Sequence, residues 1–286
     1  MRIFKPFLFA LFILLTIKVE AGGGWTQPKN GMFFKLSEWW VISDQHYTNT
    51  GGIDPHLTRA IYNTSIYAEW GISEKLTGIL YFPFFSRAVL NEQKSLTTGN
   101  VIVEGDALNS IGDPDLSLKY GLIQDKQIVL SASLTLGLPL GNDGGGRDGS
   151  LQTGDGEFNQ MISIDASTSF NLFGINSYVS VNSGFNNRTN NYSDEIRYGA
   201  EVGLEYKRLI LLARIIGIKS LNNGADNFSA SGTSIFANNT EYLSFSPEVG
   251  FKISDKLGVS ASYGTAFYGR LIFANPSYSA GVFLKL

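Results

Sequence analysis

The chain of 286 residues contains no cysteine, which excludes disulfide bonds, thiolate nucleophiles and cysteine-bound metals. Histidine is scarce as well, because His46 and His56 are the only two, so little imidazole chemistry is available. Charged residues make up 16% of the chain and the net charge is -3, which does not indicate nucleic acid as a partner. We therefore expect no catalytic residue, no metal site and no cofactor.

The amino-terminal end has the pattern of a secretory signal peptide. Arg2 and Lys5 precede an apolar run over residues 7–17, which is shorter than the roughly 20 residues of a membrane-spanning helix. Ala21 is a small residue at a position that fits signal-peptidase cleavage. We expect three segments: a signal peptide at 1–21, a short N-terminal periplasmic segment at 22–30, and an outer-membrane β-barrel at 31–286.

Apolar and polar residues alternate from Gly31 to the carboxyl terminus, and the alternation restarts after each turn signal. In one stretch, Tyr62, Ile66 and Trp70 lie on one face while Ser65 and Glu69 lie on the other. Such stretches recur about twelve times along the chain. The pattern predicts an all-β fold, namely a closed transmembrane antiparallel up-and-down β-barrel of about 12 strands.

The connections between the predicted strands alternate in length, as they do in outer-membrane barrels. The short turns fall at residues 73–75, 124–126, 172–174, 207–208 and 254–256. Longer polar segments fall between them at residues 44–57, 88–113, 141–157, 186–194, 221–240 and 269–276. This order places both termini on the side of the short turns.

Aromatic residues recur on the apolar faces close to the short turns. Barrels in lipid carry such aromatic girdles at the membrane interfaces. We interpret five residues as the periplasmic girdle: Trp70, Tyr120, Phe170, Tyr206 and Phe251. The alternative is a row of core aromatics in a soluble β-protein.

The polar faces carry charges of both signs and several tyrosines, which become lumen-lining candidates if the apolar faces meet lipid. The charged candidates are Arg59, Glu69, Lys119, Asp165, Arg197, Glu201, Glu205, Arg214 and Glu248. The tyrosines, whose rings could stack on a planar solute, are Tyr67, Tyr81, Tyr178, Tyr242 and Tyr268. The alternative for both groups is that they fill and solvate the interior of a narrow barrel.

Four stretches carry a family resemblance. Residues 25–31 (WTQPKNG), 33–40 (FFKLSEWW), 112–120 (GDPDLSLKY) and 154–160 (GDGEFNQ) resemble the bacterial outer-membrane family labelled "MetA pathway of phenol degradation". The likeness extends over most of the chain after residue 21. It implies an outer-membrane transporter or channel, with aromatic or hydrophobic compounds as candidate solutes.

The expected function is a passive outer-membrane channel for small solutes, in which the loop at 221–241 narrows the mouth through Phe228, Ile235 and Phe236. The runner-up is a closed structural or surface-binding barrel without a pathway, which a plugged lumen would favour. A lipid-modifying enzyme comes third, because neither His46 nor His56 is followed two positions later by serine. The expected location is the bacterial outer membrane, and the expected partners are its lipid and lipopolysaccharide, the barrel-insertion machinery and a small-molecule solute.

Overall fold

The computed structural model describes residues 22–225 and 235–286. The predicted signal peptide and Phe228 lie outside the described residues. The strands are β1 (Met32–Tyr47), β2 (Ile53–Ser73), β3 (Leu76–Leu90), β4 (Gln93–Lys94), β5 (Val101–Val103), β6 (Asp106–Ser110), β7 (Asp115–Ile123), β8 (Ile128–Gly137), β9 (Asn159–Leu172), β10 (Ile175–Arg188), β11 (Glu195–Tyr206), β12 (Leu209–Ser220), β13 (Glu241–Lys252), β14 (Leu257–Arg270), β15 (Ile272–Phe273) and β16 (Ser277–Lys285).

The strands form one closed antiparallel barrel. The strands from β7 to β14 pair in chain order, β3 pairs with β2 and β7, and β1 closes the ring by pairing with both β2 and β16. The short strand β6 and β7 both pair with β3, and together they form one interrupted barrel strand. In the same way, β15 and β16 both pair with β1 and form another interrupted barrel strand. Because β4 and β5 form a separate hairpin, the barrel is built from 12 strands around its circumference, and the predicted fold class is confirmed.

Short and long connections alternate around the barrel. One end carries hairpins such as Phe173-Gly174, where φ values of 51° and 86° give the left-handed conformation of a tight two-residue turn. The other end carries the longer connections, which include residues 91–105 and 138–158. We call these the turn end and the loop end of the barrel.

The distribution of buried side chains is inverted relative to that of a water-soluble protein. Large apolar side chains on the outer wall are exposed, for example Leu118 by 52% and Ile162 by 64%. No helix in the described ranges is long and apolar enough to cross a membrane. The largest fully buried side chains among the described residues are all polar: Glu157, Asn186, Thr77, Thr153, Ser43, Ser86, Ser131, Ser177, Ser193 and Ser220. The functional interior is therefore polar.

Candidate functional site

The segment of residues 22–30 enters the barrel at the turn end. Lys119 Nζ donates to the carbonyl oxygen of Gly23 at 2.7 Å, and the amide of Gly24 donates to Ser167 Oγ at 2.8 Å. Further along, Gln27 Nε2 donates to a carboxylate oxygen of Glu69 at 2.7 Å. These contacts hold a glycine-rich segment against inward-facing residues of three strands, so it occupies the opening.

A cavity of about 460 Å³ lies beside this segment, and its lining combines apolar side chains with six charged ones. Glu248 accepts hydrogen bonds from Lys35 Nζ and from Arg214 Nη1, each at 2.6 Å. Arg214 also pairs with Glu201. A second pair, Lys252 with Glu205 at 2.5 Å, lies on the same inner wall. Four of these residues are linked by consecutive ion pairs across β1, β13, β12 and β11, in the order Lys35, Glu248, Arg214 and Glu201. We call this group the polar layer of the interior.

Tyr178 joins this polar layer to the N-terminal segment. Its hydroxyl donates to Glu201, and the Trp25 ring meets the Tyr178 ring edge-on, with centroids 5.8 Å apart. The ring lies over Gly203, where an added Cβ would be 1.9 Å from Tyr178 Cε1. Only glycine at this position leaves room for the tyrosine ring to lie flat against the barrel wall.

A second cavity of about 380 Å³ lies further toward the loop end. Its apolar lining residues include Trp39, Ile216 and Phe273, and its polar lining residues include Arg197 and Tyr242. Small ligands are commonly held by apolar walls with a few polar groups that fix their orientation, and this cavity has that composition.

The loop at 138–158 folds into the loop end and is fixed there by one arginine. Arg188, whose side chain is 4% exposed, pairs with Asp155 at 2.9 Å, Glu157 at 2.5 Å and Glu195 at 2.7 Å. Because carboxylates outnumber cations in this cluster, the protonated form of an acid is favoured. Burial raises the pKa of Glu157 to about 7.

Asp113, in the interruption between β6 and β7, holds the two ends of the same loop. Its carboxylate accepts from the amide of Gly141 at 2.7 Å and from the amide of Asp155 at 2.9 Å. Burial raises the pKa of Asp113 to about 6, in spite of these two hydrogen bonds. The loop is therefore tied to the barrel through acids that gain protons near neutral pH.

Two apolar clusters fill further space inside the loop end. Val41, Ile61 and Phe273 are buried together, with Ile235 and Phe236 packed against them. Ala88, Leu90 and Leu151 form the second cluster. The loop residues predicted to narrow the mouth, as far as they are described, thus lie in a cluster with strand residues from the inner wall.

The structure places most of the predicted lumen residues on the inner wall. Glu69, Glu201, Glu205, Arg214, Glu248, Tyr67 and Tyr178 line the first cavity, while Arg197 and Tyr242 line the second. Lys119 bonds to Gly23, Arg59 bonds to Ser150 of the inward-folded loop, Asp165 shares a face with Ser167, and Tyr81 pairs with Tyr67. The five predicted girdle residues lie on the outer wall with exposures of 40% to 52%: Trp70, Tyr120, Phe170, Tyr206 and Phe251.

Tyr268 requires a correction, because it was predicted to face inward and it faces outward. Leu243 pairs with Tyr268 and Ser244 pairs with Ala266, so a β-bulge at Phe267 inserts one residue into β14. One extra residue reverses the alternation beyond it. Tyr268 accordingly lies on the same face as the outward Leu243 and is 41% exposed.

The arginine cluster at the loop end is not apparent from the sequence. Arg188 falls where a predicted strand meets a loop, and Glu157 falls in a polar segment that the sequence predicts to be an outer loop. A lone arginine with acids far away in the chain gives no spacing signal. Only the packing of the loop against β10 and β11 brings Arg188, Glu157 and Glu195 together.

A closed barrel with an apolar outer wall and a polar interior defines the class of outer-membrane-type β-barrels. No family model matches the chain, and no curated protein matches it. The resemblance to the phenol-degradation family therefore stays a prediction.

Solved structures share the fold. An outer membrane channel from Pseudomonas putida F1 aligns over 94% of this chain and 100% of its own, with 13% identity and a TM-score of 0.57. The KdgM porin aligns over 90% and 99% of the two chains, with 6% identity and a TM-score of 0.46. The CymD monoaromatic hydrocarbon channel aligns over 90% and 89%, with 11% identity and a TM-score of 0.41. At 13% identity, the similarity to the Pseudomonas putida channel shows a shared fold alone. The TM-scores of the other two are below 0.5, and nothing further is inferred from them.

Proposed function

We propose that the chain is a bacterial outer-membrane channel for passive passage of small solutes, with both ends of the barrel obstructed in this conformation. The apolar outer wall faces lipid, with lipopolysaccharide around the loop end, and the barrel-insertion machinery places it there after the signal peptide is removed. The N-terminal segment occupies the turn end and the inward-folded loops narrow the loop end.

The observation that carries this proposal is the arrangement of two cavities along the barrel axis. Successive inward residues of β13 line them in order, because Ser246 borders the second cavity and Glu248 borders the first. A barrel that served only as a scaffold would gain stability by filling this volume. Unfilled space in series along the axis, with charged and polar groups on its walls, is the arrangement that a channel requires.

The second cavity supports aromatic or amphipathic compounds as the solutes. Trp39 and Phe273 offer apolar surface, and Tyr242 and Arg197 offer hydrogen-bond donors. A solute with a planar apolar body and one polar group would satisfy both kinds of lining residue. Arg197 is already paired with Glu195 at 2.9 Å, so a neutral polar group fits beside it better than a second carboxylate.

Planar-bilayer conductance tests the proposal. Chains of residues 22–286 and 28–286 would be refolded and recorded under the same conditions. We expect rare openings from the first and frequent, larger openings from the second, because the shorter chain lacks the contacts of Gly23 and Gly24. Phenol should then reduce the open-state current in a concentration-dependent way, whereas glycerol, a non-aromatic polyol, should not.

A closed barrel without a pathway is the second candidate, and the filled loop end favours it. Leu151 is 2% exposed and Phe273 is 6% exposed, so both apolar clusters exclude water from part of the interior. If both chains were correctly folded and remained silent in the bilayer, this candidate would replace the channel.

We propose no enzymatic activity for the chain. Within the described residues, one hydrogen bond involves a histidine ring: His56 Nδ1 bonds to the carbonyl oxygen of Leu57. Neither ring is positioned as a base beside a hydroxyl nucleophile, an arrangement that a serine-type lipase requires. Incubation of the folded barrel with phospholipid vesicles should release no fatty acid.

A further inference from the structure

The two histidines of the chain lie together at the loop end, although they belong to different strands. In the register of β1 and β2, His46 lies directly opposite Asp54, and His56 is two residues further along β2. The centroids of the two imidazole rings are 5.2 Å apart, and the His56 ring also contacts Phe273 at 5.8 Å. The separation along the chain does not form a metal-binding motif, so only the strand pairing reveals the contact.

Each ring has a buried nitrogen for which the described structure provides no hydrogen-bond partner. These atoms are Nδ1 of His46 and Nε2 of His56. Because His56 Nδ1 bonds to the carbonyl oxygen of Leu57, Nδ1 carries the proton and Nε2 presents a lone pair. Metal-ligating histidines use this arrangement, in which the second ring nitrogen donates to a backbone carbonyl and fixes the tautomer.

The ring separation agrees with shared coordination of one ion. Zinc–nitrogen bonds are about 2.0–2.1 Å long, and with tetrahedral angles two coordinated imidazoles have centroids roughly 5 Å apart. The distance of 5.2 Å between His46 and His56 equals that spacing within this precision. Among the described residues no group of three or more histidine or acidic side chains is arranged to hold a metal ion, so the two imidazoles are the protein ligands that this site offers.

We infer that His46 and His56 form a binding site for a divalent transition-metal ion, with zinc or copper as the class that imidazole ligands select. The ion joins the loop-end extensions of β1 and β2. This site is independent of solute passage, because its ligands do not line either cavity.

Isothermal titration calorimetry with zinc chloride tests the inference on a refolded, tag-free chain of residues 22–286. We expect saturable binding of one zinc ion per chain. His46→Gln and His56→Gln should each weaken it about tenfold or more, since each removes a ligand. Gln45→Ala is the matched control, because it changes an exposed neighbour on β1 and should leave the affinity unchanged. Magnesium should not compete, because it prefers oxygen ligands.

A measurement on the unmodified chain keeps the inference testable if the variants fold poorly. Diethyl pyrocarbonate modifies imidazoles, and this chain has two, so the absorbance of the product counts both directly. Saturating zinc should protect both rings, and the same concentration of magnesium should not. Equal modification rates with and without zinc, or full zinc affinity in both glutamine variants, would overturn the assignment.

Discussion

Gly71 on β2 lies directly against the carbonyl oxygen of Pro28, and a Cβ at Gly71 would be 1.9 Å from that oxygen. The backbone of Gly71 also bonds to the same segment, through Asn30 N to Gly71 O at 2.7 Å and Gly71 N to Gly31 O at 2.9 Å. The absence of a side chain at this position is what lets the N-terminal segment lie across the opening.

Gly71→Val should displace this segment and open the turn end. The change places methyl groups where the Pro28 carbonyl lies, so it should cost about 1–3 kcal/mol of stability if the segment stays in place. Movement of the segment relieves that strain, and we expect more frequent channel openings in bilayer recordings. Gly78→Ala is the control, because its added Cβ would lie 3.4 Å from Ile72 Cδ1, an ordinary contact. Recordings of Gly71→Val that matched the parent chain would contradict a closing role for the segment.

Glu248→Gln should make the channel more selective for anions. Glu248 neutralises both Lys35 and Arg214, each at 2.6 Å, in the polar layer that lines the first cavity. Its loss leaves one guanidinium and one ammonium underneutralised, which attracts anions into the pathway. We also expect a loss of about 2 kcal/mol of stability, between the values for exposed and fully buried ion pairs.

The reversal potential in a salt gradient measures this selectivity. Glu74→Gln serves as the control, because it makes the same change in net charge in an exposed turn outside the lumen. If the two variants shifted the reversal potential equally, the effect would come from overall charge and not from the layer around Glu248.

The side-chain alternation was sufficient to predict the faces of most strands. Neighbouring residues in a strand face opposite sides, so Glu69 and Trp70 could be assigned to the interior and the outer wall without knowing any contact. The same reasoning failed at Tyr268, because alternation cannot reveal the extra residue at Phe267. A bulge appears only when both strands of a pair are seen together.

The pairing of charges could not be predicted, since it depends on strand register. Arg214 and Glu201 are opposite each other in the pairing of β11 and β12, whereas Glu248 lies across β12 and β13 near the same level. Sequence supplies the charges but not the shear that aligns them. The position of Gly23 inside the barrel could not be predicted either, because residues 22–30 have no alternation of apolar and polar residues that would assign them to a face.

Arg188→Gln should release the loop at 138–158 from the barrel. Three carboxylates depend on this buried guanidinium, and removal of one partner from a buried ion pair typically costs about 3–5 kcal/mol. Undocking the loop exposes the acids to water at a lower cost than unfolding the barrel. Trypsin should therefore cut after Arg147, which lies in this loop, faster than in the parent chain.

Gel electrophoresis of the two fragments measures the cleavage rate. Arg87→Gln is the matched control, because Arg87 is exposed and hydrogen-bonds only to Asn109 at 3.3 Å within the described structure. Unchanged cleavage after Arg147 in Arg188→Gln would show that other contacts, such as those of Asp113, hold the loop without the arginine.

The docking of this loop should weaken as the pH rises. Burial raises the pKa of Glu157 from 4.5 to about 7 and that of Asp113 from 3.8 to about 6 in the docked state. A raised carboxyl pKa means that the docked state binds the proton more tightly than the released state does. Proton linkage therefore stabilises docking at low pH. This contribution is lost as the pH rises from the ordinary pKa values, 4.5 and 3.8, to the raised values of about 7 and about 6.

A spin label on Gly144→Cys reports this equilibrium, because the chain has no other cysteine and an added Cβ at Gly144 has its nearest neighbour at 3.7 Å. Between about pH 5 and pH 8, we expect the mobile fraction of the spectrum to rise, since the released loop binds fewer protons. Glu157→Gln keeps this side chain neutral at every pH, so most of the dependence should disappear and the loop should stay docked. Spectra that were independent of pH in the parent chain, or equally pH-dependent in Glu157→Gln, would rule out Glu157 as the titrating group.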